Sequence, residues 1–351
     1  MMNSLKGKAG TRYELADSLR GVAAVLVVTG HLLVRDSELM KSSFFLHLLY
    51  CVHLPIFFFF AGFFSKKSFK KSLWTVTKQK AIRLLLPYLM WSSVAVLAKS
   101  VLDILRGEWI LLSSAQMWIH TLLYADSMWF FLSLFLMHVL FRGLYEIWRK
   151  KPIVAICAAI VAYMLPMESV LSLHETQAMM PYFSLGLLAA SYEETRARYD
   201  AYWKPMVIAA LVILLCAPMY VEIAYSNRMS YGLPMLLSAC ICTAVTSAFC
   251  VICKLLFNRF RVLSKAFSVL GKFSMEIYCV HMMFVNYLPI RIPQFLVEGP
   301  EWIADIAYFA LAFTMGWIIV LLSHFVLNRI PIYRWFMLGQ FPQQYKEKEI
   351  T

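Results

Sequence analysis

The segment ADSLRGVAAVLVVTGH carries Asp17, Arg20 and His31 in a run that is otherwise mainly small and aliphatic. Ionisable groups are costly inside a bilayer, so those that persist in such a run are candidates for chemistry. At about 100° per residue, the eleven steps from Arg20 to His31 return to within roughly 20° of the same direction. Asp17 lies about 40° from His31 on the other side, so all three share one helix face. A rise of about 1.5 Å per residue sets His31 roughly 16 Å along the axis from Arg20. A guanidinium is a planar fork for phosphate oxygens, and a neutral imidazole can take a proton from an attacking hydroxyl. Taken singly, Arg20 can snorkel to the headgroups and His31 can bond a neighbouring helix. Only the functional account explains their common face.

Two more histidines sit midway along apolar runs. His53 lies in HLPIFFFFAGF, where Pro55 opens the helix ladder beside it. His281 ends GKFSMEIYCVH, and Ser274, Tyr278 and His281 follow i, i+4, i+7 spacing on one face. Glu276 projects from another face and needs a partner of its own. The segment SKKSFKKSLWTVTKQKAIRLLLPY is the most basic in the chain. Headgroup binding and orientation explain most of its lysines, but Lys80 and Arg83 open a helix at i, i+3 spacing and would face one way. They would join Arg20 in holding a polyanion. Trp118, Asp126 and Trp129, with Trp109, His120 and Tyr124, mix aromatics with hydrogen-bonding groups as sugar sites do. An interfacial aromatic belt predicts the same composition and is the favoured account. His138 and His324 lack a comparable pattern, and His47, His120 and His174 fall at the outer edge. These five are read as structural or solvated. Cys250 and Cys253 have CxxC spacing, but their apolar neighbours make them packing residues; neither a metal site nor a disulfide framework is expected.

The elements that must position these residues are membrane helices. Apolar residues make up 61 % of the chain and charged ones 15 %, with a mean hydropathy of +0.67. A soluble fold of 351 residues would need more polar surface than this supplies. The apolar runs are continuous, which favours helices over a barrel. About ten spans are expected, at 18–34, 44–64, 83–104, 128–148, 152–167, 179–191, 205–224, 232–256, 267–289 and 303–327. Placing both termini in the cytoplasm leaves only Arg35, Lys41, Lys99, Arg106, Arg228 and Arg291 outside, of 33 Lys and Arg. The net charge of +13 is therefore a topology signal and not a nucleic-acid footprint. Lys6, Lys8 and Arg12 ahead of an apolar run resemble a secretory leader, but Arg20 and His31 within the run argue against cleavage. The expectation is one all-α polytopic domain with its core at about 15–330 and no appended soluble domain.

An Arg followed eleven positions later by His, preceded by Asp-Ser-Leu, resembles the signature of the acyltransferase 3 family. The resemblance continues in HLPIFFFFAGFF, KAIRLLLPY, MWFFLSLFL, PYFSLGLLA and GKFSMEIYCVH, and covers residues 15 to about 290 in order. The fucose 4-O-acetylase-like branch is the nearest in flavour. The resemblance implies transfer of an acyl group, usually acetyl from acetyl-CoA, to a hydroxyl of a glycan or another small acceptor. It implies that Arg20 and His31 are the signature pair, that His53 and His281 match recurring positions, and that Arg83 is the basic residue of the third span. Lys80 stands where an arginine is common, and Ala61 where many members have serine. On this basis Arg20, Lys80 and Arg83 are expected to hold acyl-CoA phosphates, with Asp17 orienting Arg20. His31, His53 and His281 form the expected catalytic set, and Ser274, Tyr278 and Glu276 support it. No permanently bound cofactor is expected. The implied partners are membrane lipid, acyl-CoA and a glycan or lipid-linked sugar, in a bacterial plasma membrane; oligomeric state is not fixed by the sequence, and a homodimer is compatible with it. A glycan exporter or flippase, or a scaffold for a glycan synthase, would use a similar bundle.

Overall fold

Hydrocarbon offers no hydrogen-bond partners, so an apolar chain must satisfy its backbone within each segment. The structure is a computed structural model that describes residues 14–36, 43–107, 111–124, 128–191, 203–228, 230–287, 292–297 and 299–341. Among these residues every regular element is helical. The helices are α1 (Glu14–Asp36), α2 (Phe44–Ser65), α3 (Leu73–Lys80), α4 (Leu86–Leu105), α5 (Leu111–Tyr124), α6 (Trp129–Gly143), α7 (Tyr145–Trp148), α8 (Ile153–Tyr163) and α9 (Leu173–Ser191). They continue with α10 (Trp203–Asn227), α11 (Leu233–Arg259), α12 (Arg261–Lys272), α13 (Ser274–Tyr287), α14 (Gln294–Val297) and α15 (Glu301–Phe325).

Five helical stretches are long and apolar enough to cross a membrane unaided: Glu14–Arg35, Phe44–Ser65, Leu73–Leu105, Leu233–Arg259 and Glu301–Arg329. The number rises to seven if two bent pairs each count as one crossing. Ten spans were expected from the sequence, and the others correspond to shorter or less apolar helices. At 11 residues, α8 rises only about 16 Å, half the thickness of the hydrocarbon layer.

Three expected boundaries are corrected. The third span begins at Leu73 and not near residue 83, because α3 runs into α4 through a π-helical turn at Ala81–Leu85. Pro87 has no N–H to give the carbonyl four residues back, and the chain widens one turn earlier, where the Leu86 N–H bonds the Ala81 carbonyl. Lys80 and Arg83 therefore do not open a helix, nor do they keep the α-helical i, i+3 relation. The ninth expected span, 267–289, is two helices, with Phe273 between α12 and α13 outside helical geometry (φ −99°, ψ 16°). Helix α5 occupies a stretch for which no helix was expected.

The chain gathers into two compact units. The first comprises residues 1–66, 148–166 and 178–320. At its centre is α1, whose residues 21–30 are all buried. Helices α1 and α12 touch backbone to backbone: a methyl on Gly21 would overlap the Phe267 carbonyl, and one on Gly271 the Asp17 carbonyl. Helices α2 and α9 cross in the same way, Gly62 against Phe183 and Gly186 against Phe59. Small residues allow such close approach between apolar helices. In α2 the ladder defect at Pro55 is repaired from outside the helix. The Cys51 carbonyl loses its normal donor to Pro55 and accepts from the Thr246 hydroxyl of α11 at 2.8 Å. Lys66 caps α9 by donating to the Ala190 carbonyl at 2.9 Å.

The second unit comprises residues 67–147, 167–177 and 321–351. Here Trp91 donates to the Met337 carbonyl at 3.0 Å and Arg142 to the Lys71 carbonyl at 2.6 Å. Gly339, at φ +60°, lies so close to the Ile82 carbonyl of the π-turn that a Cβ would overlap it.

Candidate active site

Helices α1 and α13 lie side by side in the first unit and are tied at three levels. Near the start of both, Arg20 donates from Nη2 to the Ser274 hydroxyl at 2.9 Å. Further along, the rings of His31 and His281 lie 5.2 Å apart between centroids, tilted by 44°. Near the far ends, Arg35 donates to the Val285 carbonyl at 2.7 Å. The partners advance together along both chains, so the two helices run parallel.

At the Arg20 end, Asp17 Oδ1 stands 3.7 Å from Nη1, an i, i+3 ion pair on α1. The Asp17 side chain is 5 % exposed and that of Arg20 27 %, so the guanidinium is the half of the pair open to a ligand. Ser18 fixes the register of this turn by donating to the Ser264 carbonyl of α12 at 2.9 Å.

The histidines differ in what holds them. His281 is fully buried, and its Nδ1 lies 2.9 Å from the Ile277 carbonyl one turn back. A carbonyl brings no proton, so in the neutral ring Nδ1 carries the hydrogen and Nε2 the lone pair. That Nε2 is buried and has no hydrogen-bond partner among the described residues. His53 follows the same pattern, with Nδ1 on the Leu49 carbonyl. His31 lies within electrostatic reach of both His53 and His281. His31 is partly exposed, and next to it the buried Gly30 has open space: a methyl there would meet nothing within 4 Å. The arrangement is one partly exposed imidazole, with two ring nitrogens on other helices set as acceptors. Such a set can take up and relay a proton.

The structure thus brings together most of the residues expected from sequence. Asp17, Arg20, His31, His53, Ser274 and His281 belong to one unit, and the Tyr278 ring is 6.0 Å from that of His281. Glu276 is buried on α13. Lys80 and Arg83 belong to the second unit. There they lie within electrostatic reach of His138, whose Nδ1 is 2.6 Å from the Leu134 carbonyl. Sequence reasoning set His138 aside because no polar residue recurs near it at helical spacing; its neighbours arrive through tertiary contact. Trp118 uses its indole N–H on the Ser93 hydroxyl at 3.1 Å, as a helix-bracing aromatic would. Trp129 belongs to the same unit, partly buried at the start of α6. Asp126 lies outside the described residues.

Sequence reasoning also passed over a stack at one end of the first unit. The Arg228 guanidinium lies 3.6 Å from the Tyr225 ring centroid and 5.1 Å from that of Tyr50. His47 stacks on Tyr225 at 4.1 Å, and Tyr50 meets His53 edge-on at 5.2 Å. The residues are remote in sequence, and an interfacial arginine is ordinarily read as a topology mark.

Residues 15–322 match a family model described as an acyltransferase domain. No curated protein and no solved structure gives a significant match.

Proposed function

The chain belongs to this membrane acyltransferase family, and from that premise we propose that it moves an acyl group, acetyl first among candidates, from acyl-CoA to a hydroxyl of a cell-surface glycan or its lipid-linked precursor. The observation that carries the proposal is the pairing of His31 with His281 at 5.2 Å, on a helix that presents Arg20 roughly 16 Å away. An extended pantetheine arm is of comparable length, so a phosphate held at Arg20 would bring the thioester to the level of His31.

In the proposed step His31 removes the proton from the acceptor hydroxyl as its oxygen attacks the thioester carbonyl. The new C–O bond forms, the C–S bond breaks, and the proton passes from the imidazolium to the departing thiolate to give free CoA. His281 and His53 offer fixed Nε2 acceptors that orient His31 and share its positive charge. Arg20, braced by Asp17 and Ser274, is assigned to the donor's phosphates. Lys80 and Arg83, in the second unit, are given no part in this step.

The test uses purified protein in lipid nanodiscs with radiolabelled acetyl-CoA and a membrane glycan fraction. Wild type should place label on the glycan, and His31→Ala of equal thermal stability should lose at least about a hundredfold, the usual scale of general acid–base catalysis. Wild-type turnover in His31→Ala overturns the role given to His31.

A further inference from the structure

The stack at Arg228 has the composition of a ligand site. Helix α10 delivers Tyr225 in its last turn and Arg228 follows directly; α2 delivers His47 and Tyr50 from its first two turns. Arg228 gives an N–H to the Tyr225 carbonyl and sets its guanidinium carbon 3.6 Å from the Tyr225 ring centroid and 5.1 Å from that of Tyr50. Among the described residues no carboxylate pairs with it. Cation–π contacts of this kind hold a guanidinium in place, and a guanidinium so held can meet a planar anion in bidentate fashion. Arg228, Tyr225, Tyr50 and His47 are all partly exposed, so a ligand can reach them.

The site also leads somewhere. His47, Tyr50 and His53 follow at three-residue steps along α2, a rise of about 9 Å. Tyr50 touches both Arg228 and His53. A molecule whose anionic group sits on Arg228 and whose ring lies along Tyr50 would therefore reach His53 at the histidine cluster. Aromatic faces beside a hydrogen-bonding edge suit a sugar ring, and the arginine suits a carboxylate or phosphate on it.

Resting on the acyl-transfer assignment above, we propose that Arg228, Tyr225, Tyr50 and His47 form the acceptor subsite, and that the acceptor is an anionic sugar. The charge is a uronate carboxylate or a sugar phosphate, and the experiment separates the two.

Saturation-transfer NMR on the nanodisc-embedded full chain is run with glucuronate, glucose 1-phosphate and methyl glucoside as probes. Wild type should bind at least one anionic probe about tenfold more tightly than the neutral one, the scale of a hydrogen bond to a charged group. The favoured anion then names the source of the charge. Arg228→Gln should remove the preference. Arg228→Lys, which keeps the charge but not the fork, should retain part of it. Equal binding of all three probes by wild type overturns the proposal, as does an undiminished anion preference in Arg228→Gln. Binding is read without the donor, so failure of the acyl-transfer assignment shows separately: anion preference intact, with no label transferred from acetyl-CoA. In the transfer assay Arg228→Gln should raise KM for the anionic acceptor about tenfold and leave kcat within about twofold, the pattern of lost uniform binding.

Discussion

The backbone contact of α1 with α12 makes Gly271→Ala the most informative single change. A Cβ on Gly271 would overlap the Asp17 carbonyl and stand 3.0 Å from the Gly21 nitrogen, whereas ordinary Cβ contacts begin near 3.4 Å. The obstacle is backbone on both counts, so no rotamer change relieves it. The helices must part by about 0.4 Å at the nitrogen and by more at the carbonyl. Overpacking of a tight core costs about 1–3 kcal/mol, and this site belongs at the upper end. Alanine returns up to about 1 kcal/mol of helix propensity, leaving a net loss of roughly 2 kcal/mol. The displaced stretch holds Asp17 and Arg20, and displacements approaching 1 Å cost up to about a hundredfold in rate. Thermal unfolding followed by tryptophan fluorescence in nanodiscs should therefore show a fall of several degrees, with acyl transfer down tenfold or more. Gly143 is the control: it is exposed, and a methyl there meets nothing within 4 Å. Gly143→Ala should leave both readouts at wild type or slightly stabilise. Wild-type stability and turnover in Gly271→Ala would refute the argument that this contact sets the position of Arg20.

Thr246→Val should destabilise by about 1–2 kcal/mol, because the Cys51 carbonyl beside Pro55 loses its replacement donor; Thr246→Ser should restore the melting temperature. Ser274→Ala frees one side of the Arg20 guanidinium and should raise KM for acyl-CoA roughly three- to tenfold, below the full value of a charge-assisted bond because water reaches Arg20. Steady-state kinetics with varied donor measures this, and an unchanged donor KM would separate Ser274 from donor binding. Gly30→Ala should be tolerated, since a methyl meets nothing within 4 Å, and thermal unfolding should return the wild-type midpoint or a slightly higher one.

Legibility in the sequence followed the range of the interactions. The shared face of Asp17, Arg20 and His31 is a property of one helix, so the 3.6-residue period gave it directly. The i, i+7 spacing of Ser274 and His281 likewise predicted that both would face one neighbour, and both touch α1. Where two helices meet, sequence spacing carries nothing. Arg228 joins Tyr50 across 178 positions, and His138 reaches Lys80 and Arg83 through the packing of α6 on α3 and the π-turn. The π-turn itself escaped periodicity because it is a response to Pro87, not a pattern of apolar residues. The break at Phe273 escaped for a related reason: an amphipathic helix followed by an apolar one reads as a single long span.

Tautomer geometry divides the histidines into two kinds. His53, His138 and His281 each commit Nδ1 to the carbonyl four residues earlier, which fixes the ring orientation and leaves Nε2 as an acceptor. His31 makes no hydrogen bond to the described residues, so either of its nitrogens can hold the proton. Two fixed acceptors, at His53 and His281, therefore lie within electrostatic reach of one ring whose tautomer is open. A donor N–H from His31 to the buried Nε2 of His281 would satisfy that orphaned nitrogen and set the other His31 nitrogen as the base. This predicts that His281 works through orientation. His281→Gln, whose side-chain carbonyl can accept the same N–H, should retain more turnover than His281→Leu, which cannot. Equal loss in the two variants, at equal stability, would remove His281 from that role.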